Sequence, residues 1–177
     1  MHNEQNFSDE QFFKGFEGKN ILITGCSGFL GKVVLEKLLR AIPGWNQVYL
    51  LLRGNKSYPS PFQRFQREIL TSTIFDRLRN ERPGHLKNRI ENSIHILEGD
   101  ITRPLLGLSE TDFADLANRV DLIINSAASV DFREPLDSAL QINALSLKTI
   151  AGLANVKGIP VVHVSTCYVN GFNGGII

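Results

Sequence analysis

Ile21-Leu22-Ile23-Thr24-Gly25-Cys26-Ser27-Gly28-Phe29-Leu30-Gly31 decides the fold of this chain. An apolar strand, predicted over 20–24, runs into three glycines spaced three apart, and an amphipathic helix over 32–40 follows at once. Glycine lets the backbone turn tightly and approach a pyrophosphate, while a helix start offers unpaired N–H groups and a positive dipole end. The natural reading is a dinucleotide cradle. Its spacing is G-x-x-G-x-x-G where the common fingerprint is G-x-G-x-x-G, so the pattern is a variant. A glycine-rich turn that binds nothing is the plainer alternative, and the strand before and helix after argue against it. Leu30, Val33, Val34, Leu38 and Leu39 recur at helical spacing and form the face expected to pack on a sheet. Gly31 is expected at the close helix–strand contact.

Outward from that loop the chain alternates strand and helix. Further strands are predicted over 47–52, 94–98, 121–125 and 161–165. The run over 47–52 is continuously apolar, as a sheet covered on both faces requires. Helices are predicted over 8–14, where Ser8 and Gln11 resemble a capping box ahead of Phe12 and Phe13, over 110–117, and over 136–155. Residues 55–93 form a polar, basic insertion with helical pieces near 62–70 and 74–82. This order implies an α/β fold, a Rossmann-like doubly wound parallel sheet, incomplete at its C-terminal end. Residues 1–17 read as a polar leading segment with a short helix, and 18–177 as the nucleotide-binding domain.

The composition is that of an ordinary soluble domain: 177 residues, 42% hydrophobic, 21% charged, net charge +1. Near-neutral charge argues against nucleic acid as a partner. No apolar run approaches the ~20 residues of a membrane helix, and residues 2–9 lack a signal-peptide core, so a cytoplasmic location is expected. Cys26 and Cys167 have no metal-ligand spacing to another Cys or a His, which predicts no metal site and two small space-filling thiols.

Ligands of such sheets bind at the carboxyl ends of the strands. Each predicted end carries polar chemistry: Thr24-Gly25, Arg53, Gly99-Asp100, Asn125-Ser126-Ala127-Ala128 and Ser165-Thr166. Any one of these is ordinary turn chemistry. Five on one edge argue for a site. An NAD site usually places an acid near the end of strand two; here Arg53 stands there, and no acid occurs from 46 to 66. A cation welcomes the extra phosphate of NADP, so NADPH is the expected cofactor, against the plainer reading of a solvated arginine. Asp100 could accept from the adenine amino group or simply cap a turn, and small Ala127 and Ala128 would let a cofactor pass close to the sheet.

Thr24–Gly31, Leu51-Leu52-Arg53-Gly54, Phe75-Asp76-Arg77-Leu78-Arg79, Glu98-Gly99-Asp100, Asn125-Ser126-Ala127-Ala128-Ser129-Val130-Asp131-Phe132 and His163-Val164-Ser165-Thr166-Cys167-Tyr168-Val169-Asn170-Gly171 together resemble the fatty acyl-CoA reductases. These are the male sterility branch of the extended short-chain dehydrogenases, and the likeness is greatest to bacterial enzymes of wax-ester synthesis. The resemblance implies NADPH-dependent reduction of a long-chain acyl thioester, on CoA or an acyl carrier protein, through the aldehyde to a fatty alcohol. It implies a cofactor-binding set of Thr24, Gly25, Ser27, Gly28, Phe29, Leu30, Gly31, Arg53, Asp100, Ile101, Ser126, Ala127 and Ala128. Thr166 matches the active-site hydroxyl that would hydrogen-bond the carbonyl oxygen as charge builds there. Asn143 is expected to reach toward the active site or to lie on the surface.

The family's Tyr-x-x-x-Lys pair does not occur here: four residues after Tyr49, Tyr58 and Tyr168 stand Arg53, Phe62 and Phe172. Tyr168 is therefore expected to be structural. The chain reads as the N-terminal portion of a longer reductase, with the substrate part and any peripheral membrane contact elsewhere, and is expected to be inactive alone. The basic residues of the insertion (Lys56, Arg64, Arg67, Arg77, Arg79, Arg82, Lys87, Arg89) could attract CoA or carrier-protein phosphates; a solvated amphipathic cover is the favoured account. His163 is expected in the core or facing the sheet. A sugar-nucleotide epimerase or dehydratase, and a non-catalytic NADP-binding module, are the competing readings.

Overall fold

The computed structural model describes residues 9–42 and 44–166. Five parallel strands, β1 (Asn20–Thr24), β2 (Gln47–Leu52), β3 (Ile94–Glu98), β4 (Leu122–Asn125) and β5 (Val161–His163), lie in the order β3-β2-β1-β4-β5. The order reverses direction at β1, so the loop after β1 sits at the switch point where nucleotides bind in such sheets.

β1 is apolar on both faces because both are covered. Ile21 and Ile23 pack in one core with Leu35, Leu38, Trp45, Phe65 and Phe75, while Leu22 packs in the other with Leu116, Ile150 and Leu153. The first layer is α2 (Phe29–Ala41) together with the insertion; the second is α6 (Glu110–Arg119) and α8 (Ser146–Asn155). α2 starts at Phe29 rather than Lys32, and it buries Gly31, Leu35, Leu38 and Leu39, while Leu30 and Val33 are exposed. The predicted stripe was rotated, because the contact at Gly31 sets which face meets the sheet.

The insertion contains α3 (Pro61–Arg64), which continues as a π-helical turn over Phe65–Ile69, a 3₁₀ turn (Thr73–Phe75), α4 (Asp76–Glu81) and α5 (Pro83–Ser93). The last was not predicted. Pro83 at its first turn suits a helix start, but only Leu86 and Ile90 mark its apolar side. Phe65, Ile69, Phe75 and Leu78 are fully or almost fully buried against the sheet. Arg64 pairs with Glu68, Arg77 with Glu81, Arg79 with Asp76 and Lys87 with Glu91, while the Arg89 guanidinium lies 4.1 Å from the Trp45 ring centre. Those arginines and Lys87 are engaged within the fold, as an amphipathic cover requires.

α1 spans Asp9–Lys14, near its predicted limits. Strand β4 begins one residue later than predicted and β5 ends two residues earlier. The helix predicted over 136–155 is divided into α7 (Leu136–Leu140), a π-helical turn (Gln141–Leu145) and α8, and that interruption bears on the site.

Candidate functional site

The strand ends converge on a cleft of about 320 Å³. Thr24, wholly buried, anchors its floor: the Thr24 hydroxyl donates to Asn125 Oδ1 at 2.5 Å and accepts the Ala127 N–H at 3.3 Å. Ser126 Oγ donates to the Thr24 carbonyl at 2.8 Å, and the Asn125 amide donates to His163 Nδ1 at 3.1 Å. These bonds tie the ends of β1, β4 and β5 together. His163 is exposed rather than in the core, because β5 is an outer strand of the described sheet and the ring is satisfied sideways by Asn125.

The glycines have separate reasons. Gly25 has φ +73°, and a Cβ there would lie 2.5 Å from the Ala127 nitrogen. A Cβ on Gly31 would lie 2.2 Å from the Gly25 carbonyl oxygen, so α2 meets the loop backbone to backbone. Gly28 caps α2 in extended geometry, with no acid in the helix's first turn to compete for an anion. Side chains would fill the cradle, so the chain's own residues fit a pyrophosphate there. Cys26 is completely buried in this loop, and burial pushes its thiol up to about 12, the nearby Arg64 offsetting part of that. It is a space-filler, not a nucleophile.

On the β2–β3 side, Arg53 Nη1 donates to Asp100 Oδ2 at 3.1 Å, with the Arg53 side chain 64% exposed. Asp100 Oδ1 accepts the Thr102 N–H at 2.9 Å and its hydroxyl at 2.8 Å. Burial raises the Asp100 carboxyl, but the two Thr102 bonds and Arg53 outweigh it and hold the group below the usual range. Arg64 reaches back from α3, donating to the Arg53 carbonyl at 3.0 Å and gripping Glu68, whose carboxyl it lowers.

On the β4 side, the amide of Asn143 clamps Ser129 at both backbone groups: Oδ1 accepts the Ser129 N–H at 2.8 Å and Nδ2 donates to its carbonyl at 3.0 Å. Asn143 lies in the π-helical turn, a local widening often found at functional sites. From the same turn the Gln141 amide donates to the Thr102 carbonyl at 2.8 Å, joining the β3 and β4 sides.

Of the residues expected to bind cofactor, Gly25, Ser27, Gly28, Arg53, Asp100, Ile101, Ser126, Ala127 and Ala128 line the cleft. Thr24 and Gly31 lie behind it as supports, and Phe29 and Leu30 stand exposed at the start of α2. Thr166 follows β5 and does not line the cleft; Cys167 and Tyr168 lie outside the described residues. Sequence reasoning missed Arg64, Thr102, Ser129, Glu134 and Ile142 as lining residues. Arg64 and Glu68, spaced as a helical ion pair, were the available signal for the first; Ser129, Glu134 and Ile142 carry none. Among the described residues no cluster of His, Cys, Asp or Glu could hold a metal, and no helix is long and apolar enough to cross a membrane.

Residues 23–177 match the family model described as "Male sterility protein". The chain belongs to that family. Within it, the chain is 43% identical over 155 residues to fatty acyl-CoA reductase 1 of Mus musculus, covering 86% of this chain and 29% of that protein. It is 38% identical over 163 residues to fatty acyl-CoA reductase 1 of Arabidopsis thaliana, covering 90% of this chain and 33% of the plant protein. The male sterility chain thus spans about a third or less of these relatives. Among solved structures, the terminal R domain of the myxalamid PKS-NRPS pathway aligns at TM-score 0.66 and 31% identity, over 85% of this chain and 35% of that one. UDP-glucuronic acid 4-epimerase from Bacillus cereus, in complex with NAD, aligns at TM-score 0.54 and 17% identity, over 88% of this chain and 42% of that one, a likeness of fold alone.

Proposed function

We propose that the cleft holds NADP(H) and that the protein reduces a long-chain fatty acyl thioester, through the aldehyde, to a primary alcohol. The observation that supports it best is the glycine-floored cleft with Arg53 at its rim, in a chain 43% identical to a fatty acyl-CoA reductase. Gly25, Gly28 and the N-terminus of α2 receive the pyrophosphate, and Arg53 takes the ribose phosphate. An exposed ion pair such as Arg53–Asp100 is worth about 0–1 kcal/mol, so a phosphate can take over the guanidinium. Ala127 and Ala128 keep the β4 loop low where the cofactor crosses, and the Asn143 clamp fixes that loop's height. NADPH, when bound, supplies hydride to the acyl carbonyl. Thr166 donates a hydrogen bond to the carbonyl oxygen; loss of one such donor costs about 2.7–4 kcal/mol in comparable sites.

The test is the protein expressed from its natural gene, given palmitoyl-CoA and NADPH. Hexadecanol with two NADPH consumed per alcohol is expected. Hexadecanal as the sole end product refutes the alcohol-forming route, and turnover with NADH alone refutes the cofactor. The 177-residue chain by itself is expected to bind NADPH without oxidising it, because it holds no Tyr-x-x-x-Lys pair. Turnover by that chain contradicts this part.

A further inference from the structure

The turn after β4 carries two features that the cofactor reading leaves unused. Glu134 lines the cleft, and its Oε2 is sealed from solvent with no hydrogen-bond partner among the described residues. A buried carboxylate oxygen without a donor is costly, so such groups mark places where a donor arrives. On the same turn Val130, Phe132 and Leu136 are 86%, 94% and 74% exposed. Hydrogen bonds at Ser129, Arg133 and Glu134 hold the turn that carries them. Asn143 holds Ser129 at one end, and the Arg133 N–H donates to Asp131 Oδ1 at 2.9 Å. The Glu134 N–H closes the turn onto the Asp131 carbonyl at 3.1 Å. Large apolar side chains held outward next to a cleft mark a binding surface.

Resting on the reductase reading above, we propose that this turn is the docking site for the thioester arm of the acyl substrate. Glu134 accepts an amide N–H of the pantetheine arm, and Val130, Phe132 and Leu136 carry the first part of the hydrocarbon chain. The combination selects this occupant. A pantetheine thioester offers amide N–H donors and an alkyl chain on one flexible strand, which matches one orphan acceptor beside an apolar lip. The nicotinamide carboxamide also offers N–H donors but has no use for the lip.

The test is equilibrium titration of the protein from its natural gene, saturated with NADPH, using S-dodecanoyl-pantetheine and S-acetyl-pantetheine as probes. Glu134→Ala is expected to weaken both thioesters about tenfold, and Glu134→Gln, which keeps an acceptor oxygen but loses the charge, by less; in both the loss of thioester affinity should exceed any loss of NADPH affinity at least fivefold. Phe132→Ala should weaken the dodecanoyl thioester severalfold and leave the acetyl one unchanged. Circular dichroism and a melting curve check that each variant is folded. Unchanged affinity for both thioesters in the Glu134 variants overturns the proposal. So does a loss of NADPH affinity as large as the loss of thioester affinity, which gives the carboxylate to the cofactor. Failure of the unaltered protein to bind NADPH refutes the underlying cofactor reading instead, so the two failures are distinguishable.

Discussion

Gly31→Ala, in the first turn of α2, and Gly152→Ala, inside α8, are the same change in two helices, and the structure predicts opposite signs. Alanine is favoured over glycine in a helix by about 0.8–1.0 kcal/mol. At Gly152, in α8, an added Cβ meets nothing within 4 Å. Gly152→Ala should therefore stabilise by about 0.5–1 kcal/mol, a rise in melting temperature of roughly 1–4 °C for a chain of this size. At Gly31 the Cβ would lie 2.2 Å from the Gly25 carbonyl oxygen, 2.7 Å from the Gly25 carbonyl carbon and 2.8 Å from Cys26 Cα. All three are backbone atoms, so no side chain can swing aside. Either α2 lifts off the sheet or the glycine loop is displaced. Overpacking costs about 1–3 kcal/mol or more, which exceeds the propensity gain. Gly31→Ala should be destabilising by about 1–2 kcal/mol and should weaken NADPH at least tenfold through the displaced loop. Urea unfolding with fluorescence detection, and NADPH titration of both variants, provide the check. A Gly31→Ala protein as stable as Gly152→Ala, with unaltered nucleotide affinity, refutes the reasoning about the cradle.

Other consequences can be measured alongside. Asn143→Leu removes both bonds to Ser129, so hydrogen exchange at the Ser129 amide should accelerate by an order of magnitude or more and NADPH affinity should fall severalfold; unchanged exchange contradicts the clamp. The Cys26 thiol stands raised to about 12 from an ordinary 9.0, so the folded state keeps a proton that the unfolded state loses between those values. Its contribution is therefore complete below pH 9 and declines at up to about 1.4 kcal/mol per pH unit above it. Chemical unfolding from pH 8 to 10.5 should show the stability gap between the natural protein and Cys26→Ala shrinking; a constant gap refutes that burial. Asp100 has the opposite sign, its depressed carboxyl stabilising the fold above about pH 4 and losing that as pH falls. Asp100→Asn should flatten acid unfolding, measured as the slope of stability from pH 5 to 3.

Much of the fold was legible because its signals are local. β1, β2 and β3 were predicted to the residue, since short apolar runs bounded by Asn, Gly and Arg leave little choice of register. The glycine loop was legible from its spacing between strand and helix: the contact of Gly31 with the Gly25 backbone is local, whereas the approach of Gly25 to the Ser126–Ala127 backbone is made across the sheet and carries no signal near Gly25. What was not legible depends on approach between distant segments. The stripe of α2 was misplaced at Leu30 and Val33, because the backbone contact at Gly31, not the apolar count, sets the rotation. α5 is polar on most of its surface and is held by Leu86 and the Arg89–Trp45 stack, neither of which periodicity weighs. In the site, Arg53 and Asp100 were found singly as strand-end residues. Their pairing, with Thr102 taking the other carboxylate oxygen, is a product of strand order. The division of the helix over 136–155 has no sequence signal, yet it puts Asn143 within reach of Ser129.

We propose that the glycine-floored cleft is an NADP site read by Arg53. The most direct measurement is the pair of dissociation constants for NADPH and NADH, taken on the natural protein and on Arg53→Gln. A charge-assisted bond contributes about 1.5–3 kcal/mol, so NADPH should bind roughly 10- to 150-fold more tightly than NADH in the natural protein. Arg53→Gln should erase most of that difference by weakening NADPH alone. Equal affinities for the two nucleotides, or a preference that survives the substitution, would contradict it.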